Sequence, residues 1–184
     1  MGKTIKVLKK SEIILEQDDL RLLPMTAEHM KKVQTWIYKA GMLPLLFPEE
    51  RKKKTFREKL IHGMFKGMLI HTMIVHWSHH GYAFLVEHEK KIIGFTAIWL
   101  LDEEKKAYRL PLVIADKTSL RKGIGSRILA MTTDFIRQNN PQFVVLVPYL
   151  PADRTDYIGF YTKNGFRPTE QIDDASVTLF KRYE

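Results

Sequence analysis

The chain has 184 residues, 45% of them apolar, with 30 Lys and Arg against 21 Asp and Glu and a formal net charge of +9. That apolar content suffices for one compact domain over residues 1–184 with a full core, residues 1–10 reading as a flexible basic arm. The chain lacks cysteine, which excludes disulfides, thiolate catalysis and Cys-based zinc sites, and it lacks an apolar run long enough for a bilayer or a signal-peptide core, so a cytoplasmic protein away from membranes is expected.

In chain order, residues 12–16 and 20–23 predict two short strands around the polar turn Gln17-Asp18-Asp19. Thr26 reads as a helix N-cap with Glu28 in the first turn, followed by one apolar face of Met30, Val33 and Ile37 and a stop at Gly41. Residues 42–48 carry two prolines and form an apolar loop, a core plug or a pocket lining. A second helix is expected from Glu49, its core stripe formed by Phe56, Leu60, Met64 and Met68. Gly81 then opens a three-stranded antiparallel meander over residues 82–87, 92–101 and 108–115. A helix follows with the face Ile124, Ile128, Leu129, Thr132, Phe135 and Ile136, then the apolar strand 143–147, which makes a crossover and a parallel pair. A helix over 154–163 ends at Asn164-Gly165, and strands 166–172 and 176–181 around Asp173-Asp174 close the chain.

The segment most suggestive of chemistry joins the third meander strand to its helix: Val113-Ile-Ala-Asp-Lys-Thr-Ser-Leu-Arg-Lys-Gly-Ile-Gly-Ser126. A strand feeding a glycine-rich helix start aims backbone N–H groups and the positive dipole end at an anion, and Arg121 and Lys122 add cations. A dinucleotide fingerprint needs a third glycine where Ile128 stands, and no stretch supplies a P-loop. The net positive charge has a second reading, nucleic acid gripped by Arg51-Lys52-Lys53-Lys54. No nucleic-acid module accompanies that run, so a polyanionic small cofactor is favoured. His76, His79 and His80 invite a metal, but no carboxylate lies close in sequence, and no metal is assigned.

Leu120-Arg121-Lys122-Gly123-Ile124-Gly125 resembles the pyrophosphate signature of the GNAT superfamily of acetyl-CoA-dependent N-acetyltransferases, Gln/Arg-x-x-Gly-x-Gly/Ala, with Leu120 in place of the first residue. Phe160-Tyr-Thr-Lys-Asn-Gly-Phe166 resembles the family's later segment, aromatic/aliphatic-Tyr-x-Lys-x-Gly-Phe, in the right order after the apolar strand. The resemblance covers roughly residues 20–183. It implies an α/β (α+β) fold, a mixed and mostly antiparallel sheet flanked by helices, with a central parallel pair splayed for the cofactor. It also implies an acetyl-CoA donor and an amine acceptor. The turn residues Arg121, Lys122, Gly123, Ile124, Gly125 and Ser126 would hold the pyrophosphate. A backbone N–H from Val113, Ile114 or Ala115 would stabilise the oxyanion, and Pro111 fits a strand that bulges and parts from its neighbour. Tyr161 takes the place of the family's catalytic acid, with Tyr157 as substitute. Arg154 stands where members often carry an asparagine and can reach a phosphate or an acidic substrate group. No general base is assigned, since Glu87, Asp102, Glu103 and Glu104 lie at strand ends.

Three functions fit: acetylation of a small primary amine, acetylation of a protein N-terminus or lysine, and acyl-CoA binding without catalysis. The apolar loop 42–48 favours the first, and a homodimer is compatible with the sequence.

Overall fold

A computed structural model describes residues 13–39, 81–169 and 176–184. The arm, the stop at Gly41, the loop 42–48, the basic run 51–54, the helix from Glu49, the histidine cluster and the Asp173-Asp174 turn lie outside the described residues. No described helix is long and apolar enough to cross a membrane.

Strand β1 (Leu15–Gln17) and β2 (Leu20–Pro24) form the expected first hairpin. Thr26 stands directly before the first helical turn, with Glu28 in it as expected. Its hydroxyl binds the Glu28 carboxylate at 3.0 Å and the His29 imidazole at 2.8 Å. That turn, Ala27–His29, is 3-10, and α1 (Met30–Lys39) starts after it, burying Val33 and Ile37 completely. Then come β3 (Gly81–His88), β4 (Lys91–Asp102), β5 (Ala107–Arg109), β6 (Leu112–Ile114), α2 (Ile124–Asn139), β7 (Phe143–Pro151), α3 (Thr155–Lys163), β8 (Arg167–Pro168) and β9 (Ser176–Tyr183).

The strands of the described residues form one nine-stranded sheet in the order β1-β2-β3-β4-β5-β7-β9-β8, with β6 paired to β4. Every pairing is antiparallel except β5 with β7, which is parallel, so the sheet is mixed as expected. The third meander strand is not continuous. It breaks at Leu110-Pro111, because proline has no N–H for a ladder; its carbonyl still accepts from the Ala97 N–H at 3.1 Å and the Thr96 hydroxyl at 3.0 Å.

Helix α2 covers the sheet face that carries Tyr82 and Phe84, its Phe135 ring meeting them edge-on at 5.0 and 6.4 Å. The end of α3 lies on the same face, where the Lys181 ammonium donates to the Asn164 carbonyl at 2.9 Å and lies 4.8 Å from the Tyr183 ring. Phe84, Phe95, Ile128, Val145 and Phe166 form the middle of the core.

Strand β4 crosses β6 so closely at Gly94 that a Cβ there would sit 2.0 Å from the Val113 carbonyl oxygen. Backbone cannot rotate away as a side chain can. Gly94→Ala is therefore expected to cost about 1–3 kcal/mol, read as a thermal midpoint about 2–4 °C lower per kcal/mol in a chain of this size. An unchanged midpoint would contradict the close approach.

Candidate active site

The site begins where two strands part. The parallel rungs of β5 and β7 pair Ala107 with Val144, Tyr108 with Val145 and Arg109 with Leu146, and they stop there. Beyond Pro111, β6 stays on β4 and has no strand on its other edge among the described residues. Hydrogen-bond parity decides which peptide groups face that opening. The Ala97 N–H donates to Pro111 at 3.1 Å and the Ala115 N–H to Ile93 at 2.8 Å, so the bonded pairs with β4 fall at 111, 113 and 115. The peptide groups of Val113 and Ala115 therefore point to β4, and those of Leu112 and Ile114 point into the gap. Leu112 escaped the sequence reading. Its one signal was strand alternation counted from Pro111, and that count needs the register with β4.

The glycine turn follows at the carboxyl end of β6. Asp116 accepts from the Thr118 N–H at 3.0 Å and from the Lys91 ammonium at 2.5 Å, capping the 3-10 turn Lys117–Ser119. These bonds, that to Lys91 first, hold its carboxyl down at about 2. Arg121 and Gly123 both take left-handed backbone, with φ of 62° and 79°, the alternation from which turn N–H groups converge on an anion. Gly123 is the N-cap of α2 and has no side chain to occupy the helix's first donors. Arg121 and Lys122 are exposed, Ser126 is half-buried, and Ile124 is buried in the core. Leu120 is 46% exposed, an apolar side chain at the mouth of a turn otherwise flanked by cations.

Gly125 is where the pieces meet. A Cβ on it would lie 3.0 and 3.2 Å from the Phe160 ring of α3 and 3.7 Å from Leu112 of β6. The glycine turn, the edge of β6 and the aromatic segment of α3, far apart in sequence, share one wall.

Tyr161 lies one residue further along α3, 6% exposed, between the rings of Phe160 at 5.0 Å and Phe166 at 5.2 Å. The contact with Phe166 is the apolar clasp of a helix-end motif. The Phe166 N–H bonds back to Tyr161 at 3.1 Å and the Gly165 N–H to Thr162 at 2.9 Å, with Gly165 left-handed at φ 84°. Burial, and next the neighbouring Tyr157, push the Tyr161 phenol well above its ordinary range. Burial also raises Tyr108 and Tyr183. The unfolded chain releases these protons near pH 10 while the fold retains them, so the stability they contribute is complete below pH 10 and is lost as pH rises through the folded values. Thermal melts between pH 9 and 11 should show a falling midpoint, and Tyr161→Phe should flatten that fall.

Arg154 precedes α3, at the same end of the parallel pair as the glycine turn. Its guanidinium bonds both carboxylate oxygens of Asp156, at 3.1 and 3.3 Å, and lies 4.2 Å from the Tyr157 ring centre. That pairing, Asp156 first, raises its pKa. The structure thus ties Arg154 within its own helix start.

Two of the four strand-end acids are occupied as well: Glu87 accepts from Arg21 at 3.1 Å, and Asp102 caps the Lys105 N–H at 3.0 Å. Asp19, His88 and Glu89 bring ligand atoms together, and the Arg127 guanidinium of α2 already donates to Asp19 of that cluster at 2.7 Å.

The family described as "Acetyltransferase (GNAT) domain" matches residues 69–168, more than half the chain. The chain belongs to the GNAT acetyltransferases. No curated protein matches the sequence significantly. Among solved structures, it is similar to an acetyltransferase from Salmonella typhimurium that modifies the N-terminal serine of ribosomal protein L7/L12, with TM-score 0.61, 14% identity, and coverage of 93% of this chain and 97% of that one. It is also similar to the PaiA N-acetyltransferase of Thermoplasma acidophilum in complex with coenzyme A, with TM-score 0.60, 16% identity, and coverage of 89% and 99%. A third is the microcin C7 self-immunity acetyltransferase MccE with acetyl-CoA and AMP, with TM-score 0.57, 14% identity, and coverage of 90% and 93%. At these identities the likeness is one of fold, and it agrees with the mixed sheet and the parallel pair of β5 and β7. This GNAT chain is an acyltransferase by family, and its gap, glycine turn and Tyr161 lie in one continuous region.

Proposed function

We propose that this GNAT enzyme moves the acetyl group of acetyl-CoA directly onto a primary amine of a small molecule, in the cytoplasm. The parting of β6 from β7 beside the glycine turn carries the donor half of this reading. The turn N–H groups, with Arg121 and Lys122, take the pyrophosphate, and the arm runs from there along the open edge of β6 in place of a strand. Ile114, nearer the turn, bonds the arm. Leu112, deeper in the gap, aims its N–H at the thioester carbonyl, where negative charge develops. The nitrogen–carbon bond forms, the carbon–sulfur bond breaks, and the amine releases its proton to solvent. Tyr161 supports the departing sulfur with its hydroxyl. Arg154, committed to Asp156, contributes through the shape of the α3 start.

The test has two parts. Acetyl-CoA should stabilise the fold by about 2.7 kcal/mol at a hundred times its dissociation constant and so raise the thermal midpoint, and no shift at saturation would sink the donor assignment. Thiol release over a panel of amines and peptides then separates acceptors. Turnover of small amines supports the reading. Turnover of peptides alone moves it to a protein N-terminus, which the Salmonella neighbour favours as the second reading. No turnover with tight binding leaves a binding module. Leu120→Arg should tighten acetyl-CoA a few-fold at low salt and less at high salt, because the added cation would be exposed and screened.

A further inference from the structure

The buried stretch of β4 runs from Ile93 to Ile98, and Thr96 brings the only hydroxyl into it. Thr96 is 1% exposed. Burying a hydroxyl is unfavourable unless a hydrogen bond compensates it, and valine would fill the same space without that demand. The partner of the hydroxyl is the Pro111 carbonyl, at 3.0 Å. A carbonyl only accepts, so the hydroxyl proton is committed to it. That carbonyl already accepts from the Ala97 N–H at 3.1 Å, so the second bond exceeds what its burial requires. Thr96 stands directly opposite Leu112, and its neighbour on the other side is Phe84, whose ring meets Phe135 of α2. Opposed side chains share a face. Thr96 therefore lies on the α2 side of the sheet, as does Leu112, which borders Gly125.

Resting on the acetyl-transfer reading above, we propose that Thr96 is a positioning residue for the oxyanion donor, acting through the Pro111 carbonyl on the Leu112 N–H. The carbonyl of Pro111 and the N–H of Leu112 are the two ends of one planar peptide group. The carbonyl end is held on β4, and the N–H end points into the gap. Pro111 has no N–H of its own to bind β4. The Ala97 N–H and the Thr96 hydroxyl are thus the two bonds that fix this peptide plane. They also draw electron density toward the carbonyl oxygen, and amide resonance passes that demand to the nitrogen. The Leu112 N–H becomes a stronger donor. Linked hydrogen bonds strengthen one another by about 10–30%. One oxyanion donor is worth about 10²–10³ in kcat, so the share that comes through Thr96 is about two- to eightfold.

The experiment reads the thioester carbonyl of bound acetyl-CoA, labelled there with a heavy carbon isotope, by infrared difference spectroscopy. The proteins are wild type, Thr96→Val, Thr96→Ser and Thr96→Ala, and no acceptor is needed. A hydrogen bond lowers a carbonyl's stretching frequency, so wild type should show a band below that of free acetyl-CoA. Thr96→Ser should keep that band, whereas Thr96→Val and Thr96→Ala should move it back toward the free position. Serine and alanine differ only in the hydroxyl, so that pair decides the matter even if the valine variant folds poorly. With an acceptor that the panel yields, Thr96→Val should lower kcat about two- to eightfold. The KM for acetyl-CoA should stay within about twofold, and Thr96→Ser should retain the wild-type rate. One shifted band shared by all four proteins overturns the role of Thr96 and leaves the oxyanion donor in place. A loss of kcat that serine shares equally with valine also overturns it, and makes Thr96 a packing residue. A wild-type band at the free position means that no N–H meets the carbonyl, and the oxyanion assignment falls together with this one.

Discussion

Replacing Tyr161 by phenylalanine is expected to lower kcat about a hundredfold while acetyl-CoA affinity stays within a few-fold. A positioned proton donor typically contributes 10²–10⁴, and the lower end applies here for a reason in the structure. Burial raises the phenol above its ordinary range, whereas a thiol titrates near 8.5. Complete transfer of the tyrosine proton to the leaving sulfur therefore runs uphill. In the proposed reaction Tyr161 would act mainly by hydrogen-bonding the charge as it grows on sulfur, which stabilises the transition state without a full ionisation. Phenylalanine keeps the ring contacts to Phe160 and Phe166 and the backbone closure at Gly165. A loss of kcat with an unchanged thermal midpoint below pH 9 would separate chemistry from packing. If kcat were unchanged, Tyr161 would be a residue of the helix end only, and Tyr157, one turn earlier and half-buried, would be the next to replace.

That double service of Tyr161 shows which parts of the site a sequence can display. Gly123 and Gly165 were legible because each meets a local demand, a left-handed residue at a helix boundary. The alternating strands and the face of α2 were legible for the same reason, since burial of Ile124, Ile128, Leu129 and Ile136 follows from spacing alone. Pro111 pointed to a break, and the break is there. It did not tell which peptide groups the break exposes, because that depends on Ala97 and Ile93 of another strand. Reading Val113, Ile114 and Ala115 as one block therefore passed over the alternation that separates Ile114 from its neighbours and adds Leu112. Arg154 was read outward, toward a phosphate. Asp156, two residues on, takes both of its bonds, a pairing visible in the sequence once the helix start is placed between them. Thr26 does stand directly before the first helical turn, with its hydroxyl bonded to the Glu28 and His29 side chains. Trp99 and Arg109 are neighbours only through sheet register, which no local spacing displays.

Gly125→Val is expected to abolish the stabilisation by acetyl-CoA, weakening the dissociation constant at least thirtyfold, and to lower the thermal midpoint of the free protein by several degrees. The first Cβ at this position already presses on the Phe160 ring at 3.0 Å. Alanine asks that ring to yield by a few tenths of an ångström, which an aromatic tip can do, and the family signature itself admits Gly or Ala there. Valine adds two methyl groups into the wall shared by α2, α3 and β6. Overpacking of this kind costs about 1–3 kcal/mol. It also pushes Phe160 and, through the next residue, Tyr161 away from the gap. The two consequences can be separated by adding Phe160→Leu. The smaller side chain removes the steric conflict, so the midpoint of the double variant should recover toward wild type. Donor binding should stay weak, because the valine still crowds the helix start where the turn N–H groups converge. Recovery of both together would mean that Gly125 serves packing alone and that the pyrophosphate lies elsewhere. Intact donor binding in the single variant would place it elsewhere at once. The Gly125→Ala variant calibrates the series: a small loss of midpoint with near-normal acetyl-CoA affinity identifies the added branch, rather than loss of glycine, as the cause.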